Sequence, residues 1–290
     1  MEEQIKSFLT YLTNEKRYSA NTLASYSSDL RQLCAYAESQ RKAKDGTASV
    51  GVELNAQILA GYMRNLRERK YTLSTVARKV AAAKSFLKFL TETGKLRDDL
   101  SPQLASPHVN KSAPRPLSIS EVRRLLAEPG KARTFEGKRD KAMLELLYAT
   151  GLRASEMVGL NVKDIDVRGS KVHCSGRNLR ARLIPIDQHI IQILKEYMAG
   201  ARSQLVNNEE ENALFVNHRG ERLTRQGFWK IIQGYADKIG LKNEVTPRAL
   251  RHSFAVHRLK GGTDLQSVQQ LLGHAHVSTT RVYKQAEARS

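Results

Sequence analysis

Two arginines, a histidine and a tyrosine lie close together near the C-terminus of the chain. The arginines fall in Arg248-Ala249-Leu250-Arg251-His252-Ser253-Phe254; His274 and Tyr283 follow in Leu272-Gly273-His274 and Ser278-Thr279-Thr280-Arg281-Val282-Tyr283. A tyrosine hydroxyl has an unperturbed pKa of about 10, so it attacks a phosphodiester only when its neighbours activate it. Guanidinium groups suit the non-bridging phosphate oxygens, because they bind two oxygens at once and stay charged. Any one of these residues alone is more often part of a helical core, but the grouping favours phosphoryl transfer.

These segments resemble the catalytic half of the tyrosine recombinase (lambda-integrase) family, and are most similar to its bacterial Xer-type members. Two further segments carry the resemblance, in the order in which the family has them. Residues 149–157, Ala-Thr-Gly-Leu-Arg-Ala-Ser-Glu-Met, resemble the segment with the first catalytic arginine, which is Arg153 here. Residues 176–185, Gly-Arg-Asn-Leu-Arg-Ala-Arg-Leu-Ile-Pro, resemble the family's β-hairpin. The resemblance covers nearly the whole chain.

The resemblance implies a role for each matching residue. Tyr283 attacks the scissile phosphate and becomes linked to the DNA 3′ end, which releases a 5′ hydroxyl. Arg153 and Arg251 hold the phosphate and stabilise its developing charge, and His274 donates a hydrogen bond to a phosphate oxygen. Because the phosphotyrosine keeps the bond energy, the resemblance implies no ATP, no metal and no other cofactor. The sequence agrees, since it has neither a P-loop nor a credible metal-binding carboxylate cluster.

Two positions depart from the family pattern. Arg248 stands where a histidine is usual, and Arg177 stands in the hairpin turn where a lysine is the expected proton donor to the leaving 5′ oxygen. An arginine with a pKa above about 12 is a poor general acid near neutral pH. Lys171 is six residues earlier, which places it about 20 Å away at the other end of a strand. Two readings stay open: an active site-specific recombinase, and a DNA-binding relative with impaired catalysis.

Charge indicates the partner. The chain has 290 residues with 48 Lys and Arg against 29 Asp and Glu, a formal net charge of +19. Such an excess favours a polyanion, here double-stranded DNA, with affinity that falls steeply as salt rises. A membrane is not expected, since no apolar run approaches the roughly 20 residues of a membrane span and no signal peptide is recognisable. Two distant cysteines, Cys34 and Cys174, suit a reducing cytoplasm, so we expect a cytoplasmic, nucleoid-associated bacterial protein.

We expect a mainly α fold with two domains. Residues 1–100 read as a helical N-terminal core-binding domain, in which apolar residues recur at helical spacing from Leu23 to Ala37 and from Val76 to Leu90. Proline-rich residues 101–116 read as a linker, and no tandem repeat is evident. Residues 117–290 read as a mixed α/β catalytic domain, with a small three-stranded antiparallel sheet within Ile165–Ile186. Helices are expected from Ser118, over Lys138–Tyr148, Gln188–Met198, Arg225–Ile239 and Pro247–Lys260.

Basic and small polar residues near helix starts are candidate DNA contacts. A run of charge is usually a solvated face, but cations beside helix N-termini can face phosphates together with backbone N–H groups. The family resemblance implies two domains that close around duplex DNA, and self-association into a tetramer on two sites or with a partner recombinase. Only seven residues follow Tyr283, so we expect subunit exchange through the C-terminus to be weak or made differently. The candidate DNA contacts are Arg17, Ser19, Asn21, Thr22, Arg69, Lys70, Ser74, Arg78, Lys79, Arg180 and Arg225.

Overall fold

The chain divides into two compact units, each with its own hydrophobic core. The computed structural model describes residues 1–45, 54–109, 115–175, 181–208, 210–274, 280 and 283. Contacts separate a first unit, Met1–Lys111, from a second unit, Ser112–Ser290. The domain bounds expected from the sequence stay a prediction.

The described residues of the first unit form the helices α1 (Glu2–Asn14), α2 (Ala20–Asp45), α3 (Ala56–Glu68) and α4 (Leu73–Glu92). Its core includes the fully buried side chains of Phe8, Leu33, Tyr62 and Leu87. The two apolar stripes predicted from the sequence face this core, although Leu23 and Tyr26 are only partly buried. The helical prediction is therefore confirmed for residues 1–45 and 54–100.

Hydroxyl side chains cap the N-termini of α2 and α4. Ser19 Oγ accepts a hydrogen bond from the Thr22 N–H at 3.2 Å, and Thr72 Oγ1 accepts one from the Thr75 N–H at 3.3 Å. Such bonds satisfy N–H groups that the first turn of a helix leaves unpaired. Thr72 is the N-cap of α4, and Ser74, one of the candidate DNA contacts, lies in the first turn of that helix.

The segment predicted as a linker begins inside the first unit. A 3₁₀ turn spans Ser101–Gln103, and the next side chain, Leu104, is fully buried in the core of that unit. Prolines at the start of a turn favour a break in periodicity whether or not the segment is packed. Residues 101–104, at the start of the expected linker, therefore pack with the first unit.

The second unit begins with α5 (Ile119–Ala127), α6 (Phe135–Thr150) and α7 (Ala154–Gly159). Ser118 and Glu121 form the capping box that their spacing predicted. Helix α6 begins three residues before the predicted Lys138, because Thr134 Oγ1 caps it by accepting from the Gly137 N–H at 3.0 Å.

A three-stranded antiparallel sheet follows, as the sequence predicted. Its strands β1 (Ile165–Asp166), β2 (Lys171–Cys174) and β3 (Arg182–Pro185) pair in the order β1-β2-β3. Cys174 pairs with Arg182 next to the hairpin turn and Lys171 pairs with Pro185 at the far end, which confirms that Lys171 lies away from the turn. Leu183 is exposed whereas Ile184 is buried, since successive strand residues face opposite sides.

Helices complete the second unit: α8 (Gln188–Glu196), a π turn over Tyr197–Ala201, α9 (Arg202–Leu205), α10 (Arg225–Lys238), α11 (Pro247–Lys260) and α12 (Leu265–Leu272). The bounds of α11 match the prediction, whereas α12 was not predicted. Helix α6 packs against α5, α8 and α11, so it is the centre of this core. In the part of the chain that the structure describes, no helix is long and apolar enough to span a membrane. The mainly α fold with a small antiparallel sheet is thus confirmed.

Candidate active site

Two glycines turn the backbone so that their carbonyl oxygens meet arginine side chains. Gly151 ends α6 with φ +60°, and Gly273 ends α12 with φ +62°. Residues other than glycine rarely adopt this left-handed backbone conformation. The Gly151 carbonyl accepts a hydrogen bond from Arg251 at 2.6 Å, and the Gly273 carbonyl accepts one from Arg153 at 3.1 Å. The ends of two helices therefore position the two arginines.

Arg251 is the most buried cation of the site, with 8% of its side chain exposed. Besides Gly151, its guanidinium donates to the Leu272 carbonyl at 2.7 Å and to His274 Nε2 at 3.0 Å. Burial, followed by the charge of Arg153, lowers the pKa of Arg251 to about 10. Arg251 therefore remains charged at neutral pH in a place where its charge is poorly screened.

Glu156 is the carboxylate on which the arginines converge. Arg153 donates to it through its backbone N–H and Nη1, both at 2.8 Å, and Arg182 binds it with two nitrogens at 3.0 Å each. Arg251 Nη1 lies 3.9 Å from it. Burial opposes ionisation, but the bonds from Arg182 and from the Arg153 backbone lower the pKa of Glu156 to about 2. Glu156 with these three residues is called the arginine cluster below.

Arg182 and Glu156 were not among the candidate site residues of the sequence analysis. Arg182 Nε donates to the Leu271 carbonyl at 2.8 Å, so this side chain connects β3 to α12 as well as to Glu156. Both residues lie inside segments that carry the family resemblance, but nothing in the spacing indicates that they pair. The pair forms only because the sheet packs beside α12.

Arg153 differs from the other two arginines in that a third of its side chain is exposed. It is the residue before α7, and Glu156 in the first turn holds both its backbone and its side chain. Within the arginine cluster, Arg153 is therefore the cation most accessible to an incoming anion, and the less exposed Arg182 and Arg251 lie beside it.

His274 is neutral and has both ring nitrogens engaged. A guanidinium can only donate, so Nε2 accepts from Arg251, and Nδ1 pairs with Thr280 Oγ1 at 3.0 Å. Burial and the charges of Arg251 and Arg153 lower its pKa to about 4. For His274 to donate to a phosphate oxygen, Nε2 must gain a proton while the Thr280 hydroxyl donates to Nδ1.

The Tyr283 ring lies against two imidazoles. Its centroid is 5.9 Å from that of His274, with the planes nearly parallel, and 5.0 Å from that of His252. Tyr283 also packs on the small apolar cluster of Phe254, Ala255, Val268 and Leu272. The structure thus brings Arg153, Arg251, His274 and Tyr283 together, as the sequence analysis expected of the four.

Of the two remaining predicted catalytic residues, the structure describes one. Arg248 is exposed in the first turn of α11, one turn before Arg251 and His252. Arg177 and Arg180 lie outside the described residues. Among the residues that the structure does describe, no three His, Cys, Asp or Glu side chains are grouped to hold a metal ion.

Exposed cations precede α2 and α4 in the first unit. Arg17 and Lys70 both adopt a left-handed backbone, with φ of 51° and 53°, and each lies two residues before the capping hydroxyl. The sequences around them match, Glu-Lys-Arg-Tyr-Ser-Ala-Asn-Thr-Leu over 15–23 and Glu-Arg-Lys-Tyr-Thr-Leu-Ser-Thr-Val over 68–76. This short repeat was not predicted from the sequence. Asn21, Arg69, Ser74 and, in α10 of the second unit, Arg225 are also exposed, and Thr22 is half-buried.

Lys79 was expected to contact DNA, but it is buried. It is 7% exposed, and its ammonium donates to Asp29 at 2.8 Å and to Gln32 at 2.5 Å. Arg78 pairs with the same Asp29 while keeping 42% of its side chain exposed. The buried carboxylate of α2 requires a cation, and Lys79 provides it from α4. Lys79 therefore leaves the set of candidate DNA contacts.

Two family models match most of the chain. The model described as the phage integrase family covers residues 116–289, and the N-terminal SAM-like domain of phage integrases covers residues 5–94. Together they span both compact units.

Close relatives match along nearly the full length. Tyrosine recombinase XerC of Roseiflexus sp. is 47% identical over 98% of this chain and 89% of that protein. Tyrosine recombinase XerD of Listeria innocua is 38% identical over 98% and 94%. The crystal structure of the XerH site-specific recombinase bound to its difH substrate, before cleavage, superposes with a TM-score of 0.73 at 21% identity. The superposition covers 100% of this chain and 84% of the XerH chain. At this sequence identity, the likeness shows the fold alone.

Proposed function

This chain belongs to the tyrosine recombinase family and is of the Xer type, and we propose that Tyr283 is the nucleophile of its site-specific recombination. The enzyme cleaves and rejoins DNA strands. The observation that carries the assignment of the site is the convergence of Arg153, Arg251 and His274 beside the ring of Tyr283. Each of the four matches a catalytic position of the family resemblance.

The arginines supply the electrostatic part of the reaction. As Tyr283 attacks phosphorus, negative charge grows on the non-bridging oxygens, and fixed cations stabilise it without having to reorganise. Glu156 and three backbone carbonyls hold Arg153 and Arg251 in place before DNA binds. Removing one such donor costs about 10²–10³ in rate in comparable sites.

The departing 5′ oxygen needs a proton. Arg177 occupies the position of the usual lysine, and we infer that it neutralises charge there rather than acting as an efficient acid. The alternative of DNA binding with impaired cleavage is not favoured, because relatives up to 47% identical along nearly the whole chain are named as tyrosine recombinases.

Both units bind double-stranded DNA in this proposal. Support comes from the net charge of +19, from the matching basic helix starts at Arg17 and Lys70, and from exposed Arg225 at the N-terminus of α10. Helix N-termini with cations beside them suit phosphate groups. Relatives solved on DNA, such as XerH, have the same fold.

The finer assignments rest on the family resemblance of the sequence. We propose assembly as a tetramer on two DNA sites, alone or with a partner recombinase. The biological role is resolution of chromosome dimers during chromosome partition, or integration and excision of a mobile element. Since the substrate is DNA and the described cysteines, Cys34 and Cys174, are free buried thiols, we place the protein with the nucleoid in a reducing cytoplasm.

A nicked duplex tests the proposed function. Sites enriched by the protein from a pool of randomised duplexes are rebuilt with a nick beside the cleavage position, so that the short cleaved strand diffuses away and the covalent complex is trapped. Wild-type protein is expected to give a complex that survives denaturing electrophoresis. Tyr283→Phe should bind with unchanged affinity and give none. A protein that binds these sites without ever forming the complex would overturn the proposal.

A further inference from the structure

His252 has an unused nitrogen in a buried place. The residue lies in α11 and is 3% exposed, and its Nε2 atom has no hydrogen-bond partner in the described part of the chain. Buried polar atoms are nearly always paired, so each unpaired one calls for an explanation. In the second unit, Nε2 of His252 is the one such side-chain atom among the described residues.

The unpaired nitrogen belongs to a ring that touches the nucleophile. The centroids of His252 and Tyr283 are 5.0 Å apart, with the planes tilted by 56°. His274 also contacts Tyr283, but Arg251 and Thr280 occupy both of its nitrogens. Of the two imidazoles against the tyrosine ring, His252 is thus the one whose Nε2 has no hydrogen-bond partner among the described residues.

Among the described residues, the arginines near His252 and Tyr283 cannot take a proton. Arg248 lies four residues before His252 and therefore on the same face of α11. A guanidinium has five N–H donors and no acceptor, so neither Arg248 nor Arg251 can remove a proton from a phenol. An attacking tyrosine must nevertheless lose its proton to some group.

We propose that His252 is a further catalytic residue, whose Nε2 accepts the hydroxyl proton of Tyr283 as the phenolic oxygen attacks phosphorus. This rests on the proposed function of Tyr283. The O–H proton passes to Nε2 while the bond from the tyrosine oxygen to phosphorus forms. The bond from phosphorus to the 5′ oxygen breaks with its electron pair, and that oxygen takes a proton from water or from a donor in the hairpin. Rejoining reverses each transfer, and His252 returns its proton to the phenol.

The surroundings of His252 keep its ring neutral, so that it can accept a proton. Burial, and then the charge of Arg248, lower its pKa, so the ring is neutral at neutral pH. The titratable or charged groups that the described residues place around it are Arg248 on its own helix and Tyr283 from the C-terminal segment, with His274 on the tyrosine ring. Cleavage should therefore fall on the acidic side, as the pH drops through a pKa below 6.5.

The test measures single-turnover formation of the covalent complex on the nicked duplex, from pH 5 to pH 8. His252→Phe keeps a ring against Tyr283 but has no nitrogen, so it should bind DNA normally, cleave about 10²–10⁴ times more slowly and lose the acidic limb. The matched control is His257→Phe, on the same helix, whose Nδ1 pairs with Tyr148 at 2.8 Å. It should cleave within a few-fold of wild type. Wild-type rate and pH profile in His252→Phe would overturn the proposal.

A second variant covers the case in which His252→Phe fails to fold. His252→Ala leaves a space of imidazole size beside Tyr283, so added imidazole should restore cleavage in proportion to its concentration, and should not affect His257→Ala. Imidazole without effect on a folded, DNA-binding His252→Ala protein counts against the proposal. If the wild-type protein itself forms no covalent complex, the proposed function has failed rather than the role of His252.

Discussion

At the scale of single residues, the site is three cations arranged around one carboxylate. Arg153, Arg182 and Arg251 would repel one another in this buried volume if Glu156 were absent or protonated. Arg153 remains partly exposed, Arg182 keeps only 12% of its side chain exposed, and Arg251 is buried. Glu156 therefore sets both the stability of the arginine cluster and the position of the two arginines assigned to the phosphate.

Glu156→Gln should lower stability at neutral pH and less so in acid. A pKa of about 2 against 4.5 for the free side chain corresponds to on the order of 3 kcal/mol, at about 1.4 kcal/mol per unit. Since the folded pKa is the depressed one, this contribution is complete above pH 4.5 and is lost as the pH falls towards 2.

Urea unfolding followed by tryptophan fluorescence measures this difference. Trp229 is the single tryptophan of the chain and lies in α10, so the signal reports on the second unit. The gap between wild type and Glu156→Gln should be about 3 kcal/mol at pH 7 and about half of that at pH 3. An equal gap at both pH values would mean that Glu156 acts through packing and not through charge.

The sequence indicated some of these residues and not others. Arg153, Arg251, His274 and Tyr283 could be named because each lies in a short motif, and their catalytic roles stay predictions. Glu156 and Arg182 could not be paired in advance, since 26 positions separate them and the sheet brings them together. Lys79 was misplaced for the same reason: its partner Asp29 is 50 positions away in another helix.

At the scale of elements, the C-terminal ends of two helices position the arginines of the site. Gly151 and Gly273 close α6 and α12 in the left-handed conformation, which aims their carbonyls at Arg251 and Arg153. The sequence shows the glycines and so predicts helix ends, but it does not show what the carbonyls meet. The short α12 escaped prediction because eight residues provide little more than two turns of periodicity.

Gly151→Ala should lower the stability of the second unit by more than the backbone strain of a left-handed alanine alone. A Cβ at Gly151 would collide with the ring of Phe254, and the backbone strain adds to the clash, for a total of about 3 kcal/mol. Gly240→Ala is the matched control, because Gly240 is left-handed at φ +77° in the same unit but has open space around its Cβ. It should cost about 1 kcal/mol.

The comparison again uses Trp229 fluorescence in urea, with cleavage of the nicked duplex as the second readout. Gly151→Ala should also slow cleavage, because the carbonyl that holds Arg251 moves, whereas Gly240→Ala should leave the rate unchanged. Equal losses of stability in the two variants would remove the contact with Phe254 from the explanation.

At the scale of the whole molecule, two compact units combine a strongly basic surface with one reactive cluster. The first unit presents matching basic helix starts, and the second contains the arginine cluster and Tyr283. Composition predicted the polyanion partner directly, since a charge of +19 is a property of the sequence and needs no fold. The repeat around Arg17 and Lys70 was visible in the sequence but is short, so the equal backbone conformations were needed to give it meaning.

The position of the covalent bond between protein and DNA shows whether Tyr283 is the nucleophile. Wild-type protein is trapped on the nicked duplex, the DNA is trimmed with nuclease and the protein is digested with trypsin, which releases Val282-Tyr283-Lys284 as a tripeptide. Mass spectrometry should find this peptide joined through the tyrosine oxygen to the 3′ phosphate of a nucleotide, with a free 5′ hydroxyl on the other fragment. A nucleotide attached to any other residue, or a bond to the 5′ end of the DNA, would contradict the account.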